Sequence, residues 1–172
     1  INNYQIAGAT VFINEFSPFD HPSYAANYYE FIEVMGPSTS NLTGWKVDIF
    51  NADGTLFGSV PLANFSGGGP TPDSRVTYGL GFTYHMWPPN ADDSIPNYGA
   101  LALIDPDGYA WQFFSWRGAA VTGAVGTSVA GLTSTILPVS LNYWETYDSW
   151  QLADAGRILS DFYWGTFGEA PN

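Results

Sequence analysis

Short runs of alternating apolar and polar residues, each ended by a turn signal, constrain the fold of this chain more than any other feature. In the stretch RVTYGLGFTY (75–84), every second side chain from Val76 to Tyr84 falls on one face. The Asp-Gly steps of NADG (51–54) and DPDG (105–108) supply the backbone conformation that tight hairpins need. No long stretch shows a clear 3.6-residue period. The pattern therefore predicts an all-β chain.

Nine stretches are strand candidates because they combine β-branched or aromatic residues with flanking turn residues. They cover residues 9–16, 30–36, 44–50, 55–62, 75–84, 99–104, 109–116, 148–154 and 160–167. Loops are predicted at 17–29, 64–74 and 85–98, and the segment 117–140, rich in small residues, fits neither class. About seven to nine short strands favour a β-sandwich. No repeat or change of composition divides residues 1–172, which we interpret as one domain.

The composition excludes several classes of function. Sixteen acidic residues face four basic ones, for a formal charge of −12. Because recognition of phosphate needs clustered Lys and Arg, neither nucleic acid nor an anionic membrane is an expected partner. No apolar run approaches the roughly 18–20 residues that span a bilayer, and the chain has no cysteine for a disulfide, a thiolate metal site or a nucleophile. A surface poor in lysine, on a chain without an initiator Met, predicts a processed, secreted or cell-surface protein.

An ordered set of motifs runs through nearly the whole chain. It comprises INE (13–15), EFIEV (30–34), LTGW (42–45), ALALIDPDGYAWQFFSWRG (100–118), AGLTST (130–135), SWQLADAG (149–156) and DFYWGTFGEAPN (161–172). This set resembles the lamin tail domain, in particular its secreted bacterial type. The resemblance implies an immunoglobulin-like β-sandwich that acts without catalysis in attachment, targeting or scaffolding, often beside a secreted nuclease or phosphatase module. Residues 1–8, INNYQIAG, precede the family's first strand as an extension.

Glu15, Glu30 and Glu33 are the obvious set of carboxylates. A catalytic pair would have to lie across a substrate cleft, about 5–10 Å apart in glycosidases, and the family resemblance implies no such activity. Hard cations such as Ca²⁺ prefer clustered oxygen ligands, so these residues and the pair Asp92 and Asp93 are weak metal candidates. The favoured interpretation is structural, as acceptors of backbone N–H groups or as solvent-facing side chains. We predict no catalytic residue and no required cofactor.

Aromatic residues make up 17% of the chain and raise the possibility of carbohydrate binding. Trp87 is the candidate for that function because it falls in the predicted loop 85–98. The tryptophans of the strand candidates are expected in the core: Trp45, Trp111 or its neighbour Trp116, Trp150 and Trp164.

Two sequons, at Asn41 (NLT) and Asn64 (NFS), fall in predicted turns or loops and are candidate glycosylation sites in a eukaryotic secretory host.

The favoured function is that of an extracellular structural or adhesive module with protein partners, including copies of itself. Residues 1–8 could add a strand to their own sheet or to a neighbour's sheet edge, the second giving a polymer. The alternatives are a carbohydrate-binding module and the accessory domain of a secreted nuclease or phosphatase.

Overall fold

Ten β-strands make up the regular structure of the computed structural model, which describes residues 11–18, 30–37, 40–62, 80–86, 95–96, 98–117, 119–137, 148–152 and 162–166. They are β1 (Phe12–Ser17), β2 (Phe31–Pro37), β3 (Lys46–Asn51), β4 (Leu56–Pro61), β5 (Leu80–Met86), β6 (Gly99–Ile104), β7 (Ala110–Trp116), β8 (Thr135–Ile136), β9 (Asp148–Leu152) and β10 (Phe162–Thr166). The described residues include no helix. The prediction of an all-β chain is confirmed, and each of the nine predicted stretches overlaps a strand.

The strands form two five-stranded sheets. The first sheet has the order β10-β9-β1-β2-β5 and the second the order β4-β3-β6-β7-β8. All neighbouring strands are antiparallel except β7 and β8, which are parallel. The chain changes sheet after β2, β4, β5 and β8, so neither sheet is built from one continuous part of the sequence.

A core of apolar side chains lies between the sheets. Phe16 of the first sheet stacks on Trp150 of the same sheet at a ring-centroid distance of 5.0 Å. Across the core, Phe16 also contacts Phe114 at 5.4 Å and Trp116 at 5.2 Å, both from the second sheet. All four aromatic side chains are at most 1% exposed. Removal of this apolar surface from water is the main force that holds the two sheets together.

The second sheet is also buried on its opposite face. Phe50 and Phe113 lie there in an edge-to-face contact of 5.6 Å, within an apolar cluster that includes Val121 and Val129. Both valines belong to the segment 119–134, which we call the cover segment. The cover segment has no regular strand of its own and makes only isolated bridges. A sheet of this sandwich is therefore sealed between two apolar layers, which the sequence pattern did not predict.

Two sequence-based expectations differ from the structure. The loop predicted to start at residue 85 is wrong there, because His85 and Met86 continue β5 by pairing with Ile32 and Phe31. The short strand β8 has no counterpart among the nine predicted stretches and lies in the segment 117–140, which the pattern did not assign. Residues 1–8 and 75–79 lie outside the described residues.

Candidate functional site

Two of the three predicted carboxylates lie side by side on neighbouring strands. Glu15 of β1 is directly opposite Glu33 of β2, next to a β-bulge at Asn14. Asn14 donates its Nδ2 hydrogen to Glu33 Oε1 over 2.6 Å. Like charges opposite each other destabilise a sheet, and this amide donor offsets part of that repulsion. The hydrogen bond therefore connects the bulge residue of β1 to the neighbouring strand β2.

Glu30 lies apart from that pair, just before β2. Its side chain is 5% exposed, and its Oε2 accepts the backbone N–H of Ile95 over 2.7 Å. Burial of a carboxylate is costly unless it accepts strong hydrogen bonds. Glu30 thus links the start of β2 to the chain that leads into β6.

The described ranges contain no preformed metal site, since no three His, Cys, Asp or Glu side chains there lie close enough to hold one ion. Asp92 and Asp93 lie outside the described residues, so Ca²⁺ binding at that pair stays a prediction. No helix capable of crossing a membrane occurs in the described part of the chain.

Of the predicted surface sites, the structure describes Asn41. It is exposed in the turn before β3, where its Oδ1 accepts the N–H of Thr43 over 3.0 Å. The position suits an acceptor of an N-linked glycan, which must be accessible. Asn64 and Trp87 lie outside the described residues.

The tryptophans divide between core and surface. Trp116 and Trp150 are at most 1% exposed, as predicted for core residues. Trp111 is 41% exposed, so it is the neighbour Trp116 that serves the core. Trp45 is only partly buried and packs against the edge of the core. The side chain of Trp164 is not among those described.

Trp45 and Trp111 are in ring contact at one end of the second sheet, and we call these two residues, together with Tyr109 of the same hairpin, the aromatic ledge. The rings of Trp45 and Trp111 have centroids 6.2 Å apart and are tilted by 33°. Tyr109, two residues before Trp111, is 71% exposed. The register of β6 and β7 shifts between Leu103 and Ile104, which makes Trp111 the extra residue of a β-bulge. Bulges redirect a side chain from its place in the alternation.

Asp105 fixes the geometry of the ledge. Its Oδ2 accepts the indole N–H of Trp111 over 2.8 Å. Its Oδ1 accepts the backbone N–H of Asp107 over 3.0 Å and that of Tyr109 over 2.8 Å. One carboxylate therefore holds both the hairpin backbone and the tryptophan ring.

A buried carboxylate that the sequence analysis missed lies on β3. Asp48 is 1% exposed and accepts hydrogen bonds from Ser59 Oγ at 2.6 Å, Lys46 Nζ at 2.8 Å and Ser128 Oγ at 2.5 Å. Ser128 belongs to the cover segment and is 80 residues away in the sequence. The only signal in the sequence was an acidic residue in a strand pattern, which by itself does not identify its partners.

Among the residues that the structure describes, no strand pairs with the outer side of β4, which is therefore an edge of the second sheet there. Leu56 is 48% exposed and Phe57 is 40% exposed, and residues 55–62 include no charged side chain. The register with β3 shifts between Ile49 and Phe50, which makes Phe57 a bulge residue. An added Cβ at Gly58 would meet no atom within 4 Å, so the face of the strand is open at this position.

A small crevice opens between the β4 edge and the first sheet. Its volume is about 80 Å³, and it is lined by Ile32, Val47, Val60, Pro61, Leu62, Thr83 and His85. Partial burial lowers the pKa of His85. Ligand pockets for small molecules usually enclose about 300–1,000 Å³, so this crevice suits a few water molecules and not a substrate.

Comparisons of the chain with protein-family models, with curated proteins and with solved structures find no match.

Proposed function

We propose that this chain is an immunoglobulin-like sandwich of the lamin tail type that acts outside the cell as a non-enzymatic structural or adhesive module. In this proposal it associates with copies of itself. The observation that carries the proposal is the uncharged strand β4, which pairs on one side only among the described strands and exposes Leu56 and Phe57.

An open edge presents N–H and C=O groups that can pair with another strand. Soluble proteins usually protect such edges with charged side chains, prolines or bulges. Here the protection consists of the bulge at Phe57 and of Pro61 at the end of the strand. Between them, Gly58, Ser59 and Val60 form a short stretch on which a second strand fits. The short length supports weak, reversible pairing.

The simplest partner is the same strand of a second copy, because no other molecule is then needed. A two-fold axis at Ser59 would place two antiparallel β4 strands side by side, with the same residues contributing from each copy. Leu56 and Phe57 would add apolar contacts beside the paired backbones. A polymer needs a second contact, and the predicted extension 1–8 would supply it by adding a strand to a neighbour.

Charge governs the conditions under which this association is strongest. Two copies with a formal charge of −12 each repel one another at long range. Salt screens that repulsion, with a Debye length of about 10 Å at 0.1 M and about 3 Å at 1 M. Contact through an uncharged strand is itself little affected by salt. Self-association should therefore increase with salt concentration.

Sedimentation velocity of the full chain over a range of concentrations, in low and high salt, tests the proposal. We expect a dimer in the wild type that is more populated in high salt, and a monomer for Phe57→Lys. Tyr98→Lys is the matched control because Tyr98 is 58% exposed and lies outside β4. Its dimerisation should equal that of the wild type. A wild type that stays monomeric throughout, or equal effects of the two lysines, would contradict assembly through β4.

Deletion of residues 1–8 separates the two contacts. Removal of the extension should abolish species larger than the dimer and leave the dimer itself. Unchanged assembly size would rule out the polymer. Hydrolase activity of the isolated chain would overturn the non-enzymatic role.

A further inference from the structure

We propose that the aromatic ledge is a binding site for a neutral saccharide. This function is separate from assembly through β4, and it rests on Trp45, Tyr109 and Trp111 instead of on Trp87. Scattered aromatic residues on a surface are ordinary. What distinguishes the ledge is how its rings are held and which groups surround them.

The indole of Trp111 needs no further polar partner. Its N–H is already bonded to Asp105 Oδ2 over 2.8 Å, yet 41% of the residue remains exposed. What it still presents to solvent is ring surface. Exposed ring surface favours a ligand with an apolar face, such as the C–H face of a sugar ring.

The ledge is also oriented before any ligand arrives. Asp105 ties the ring to the hairpin backbone, and Trp45 contacts it from the neighbouring turn with a centroid distance of 6.2 Å. The two turns are packed tightly, since a Cβ added at Gly44 would lie 3.1 Å from Pro106 Cβ. A ligand that stacks on rings already fixed in this way loses little affinity to the ordering of side chains.

The polar groups around the ledge select the chemistry of the ligand. Asp107 is exposed at the tip of the hairpin. The stretches 40–45 and 105–111 contain no Lys, Arg or His, and the next residue, Lys46, is paired with Asp48 over 2.8 Å. Carboxylates accept hydrogen bonds, which the hydroxyl groups of a sugar donate. An anionic sugar would meet a chain of formal charge −12 with no cation on these turns to offset the repulsion. A neutral saccharide matches both the ring faces and the acceptors.

Affinity gel electrophoresis of the full chain tests the site directly. The protein should be produced in a bacterial host so that no glycan at Asn41 covers the adjacent turn. The probes are neutral polysaccharides, namely a β-glucan, a xylan, a mannan and starch, with alginate as the anionic control. We expect retardation by at least one neutral polymer and none by alginate.

Trp111→Ala should weaken the retained interaction about tenfold or more, which corresponds to about 1.4 kcal/mol or more. Tyr98→Ala, which removes another exposed aromatic side chain, should bind as the wild type does. Near-ultraviolet circular dichroism of both variants checks that the core is intact. Phe57→Lys should retain sugar binding, because it changes the β4 edge alone.

Three outcomes would overturn the proposal. They are no retardation by any neutral polymer, equal retardation of Trp111→Ala and the wild type, and a Trp111→Ala variant that loses self-association and leaves sugar binding intact. The last result would identify the ledge as a protein interface.

Discussion

At the scale of single residues, the two Asp-Gly hairpins have the same sequence signal but different surroundings. Gly54 has φ +83° and Gly108 has φ +87°, both in the left-handed region that favours glycine. A Cβ at Gly54 would lie 1.9 Å from the carbonyl oxygen of Thr122 in the cover segment, whereas one at Gly108 would meet nothing within 4 Å. The first hairpin therefore also contacts the cover segment, whose Ala124 donates its backbone N–H to Gly54 O over 3.0 Å.

Alanine at these two glycines separates backbone strain from steric overlap. Gly108→Ala should lower the free energy of unfolding by about 1–2 kcal/mol, the cost of a left-handed backbone for a residue with a Cβ. Gly54→Ala should cost about 1–3 kcal/mol more, because the backbone of the cover segment must also move. Urea unfolding of both variants measures the difference. Equal losses would show that the cover segment yields without cost at this point.

Local hydrogen bonds explain why these two turns can be predicted from the sequence. Asp53 Oδ1 accepts both the hydroxyl group of Thr55, over 2.6 Å, and its backbone N–H, over 2.9 Å. These bonds, the one from the hydroxyl foremost, lower the pKa of Asp53 below its usual value. Asp105 accepts two backbone N–H groups in the second hairpin in a similar way. Such bonds span two to four residues, so the sequence by itself encodes them.

At the scale of elements, the cover segment is the unit that the pattern could not assign. It seals the outer face of the second sheet with Val121 and Val129, and Ser128 anchors it to Asp48. Apart from these contacts it is largely turns. Its stability therefore depends on docking, and local undocking is expected to precede global unfolding.

Valine substitutions in the cover segment test that dependence. Val129→Ala should cost about 2 kcal/mol, since it removes methyl groups from a fully buried position. Val125→Ala is the control because Val125 is 100% exposed, and it should change stability by less than about 0.5 kcal/mol. Native-state hydrogen exchange should show faster exchange of the N–H groups of Gly123 and Ser134, which bond within the segment, in Val129→Ala only. Unchanged exchange there would mean that Val129 does not hold the segment in place.

The sequence pattern predicts the positions of the strands more accurately than the residues at which they end. Alternation and turn residues indicated where β3 and β6 lie, because both are bounded by strong turn signals. The end of β5 was missed, since two prolines at 88–89 predicted a loop while pairing with β2 continues the strand to Met86. Pairing with a strand some fifty residues away is information that no local window contains.

At the scale of the whole molecule, the two sheets share one aromatic cluster. Phe16 touches aromatic rings of both sheets, so neither sheet retains its packing without the other. Phe16→Ala should lower the free energy of unfolding by about 3–5 kcal/mol, a large fraction of the 5–15 kcal/mol typical of a protein. Tyr98→Ala, at an exposed position, should leave stability almost unchanged.

Within each protein, Phe16→Ala or the wild type, circular dichroism and tryptophan fluorescence should report one and the same urea midpoint, and that midpoint should be lower in Phe16→Ala. Separate midpoints for the two probes would show that the sheets unfold independently, in conflict with a shared core.

The sites show the same division between local and distant information. Glu15 and Glu33 belong to the predicted set of carboxylates on strand candidates, and cross-strand pairing does place these two together. Glu30 was grouped with them but faces Ile95, because burial at the start of β2 directs it elsewhere. The aromatic ledge was missed, because Trp45 and Trp111 fit a strand pattern and their exposure depends on the end of the sheet and on a bulge.

The all-β class, the positions of most strands and the two Asp-Gly hairpins follow from the order of the amino acids alone, because they depend on contacts within a few residues. Long-range packing sets which strands share a sheet, which tryptophans are exposed, how Asp48 contacts Ser128 and which described strand lies at a sheet edge. Those features arise when distant parts of the chain exclude water together. The burial of any one residue is then set by neighbours that its own stretch of sequence does not specify.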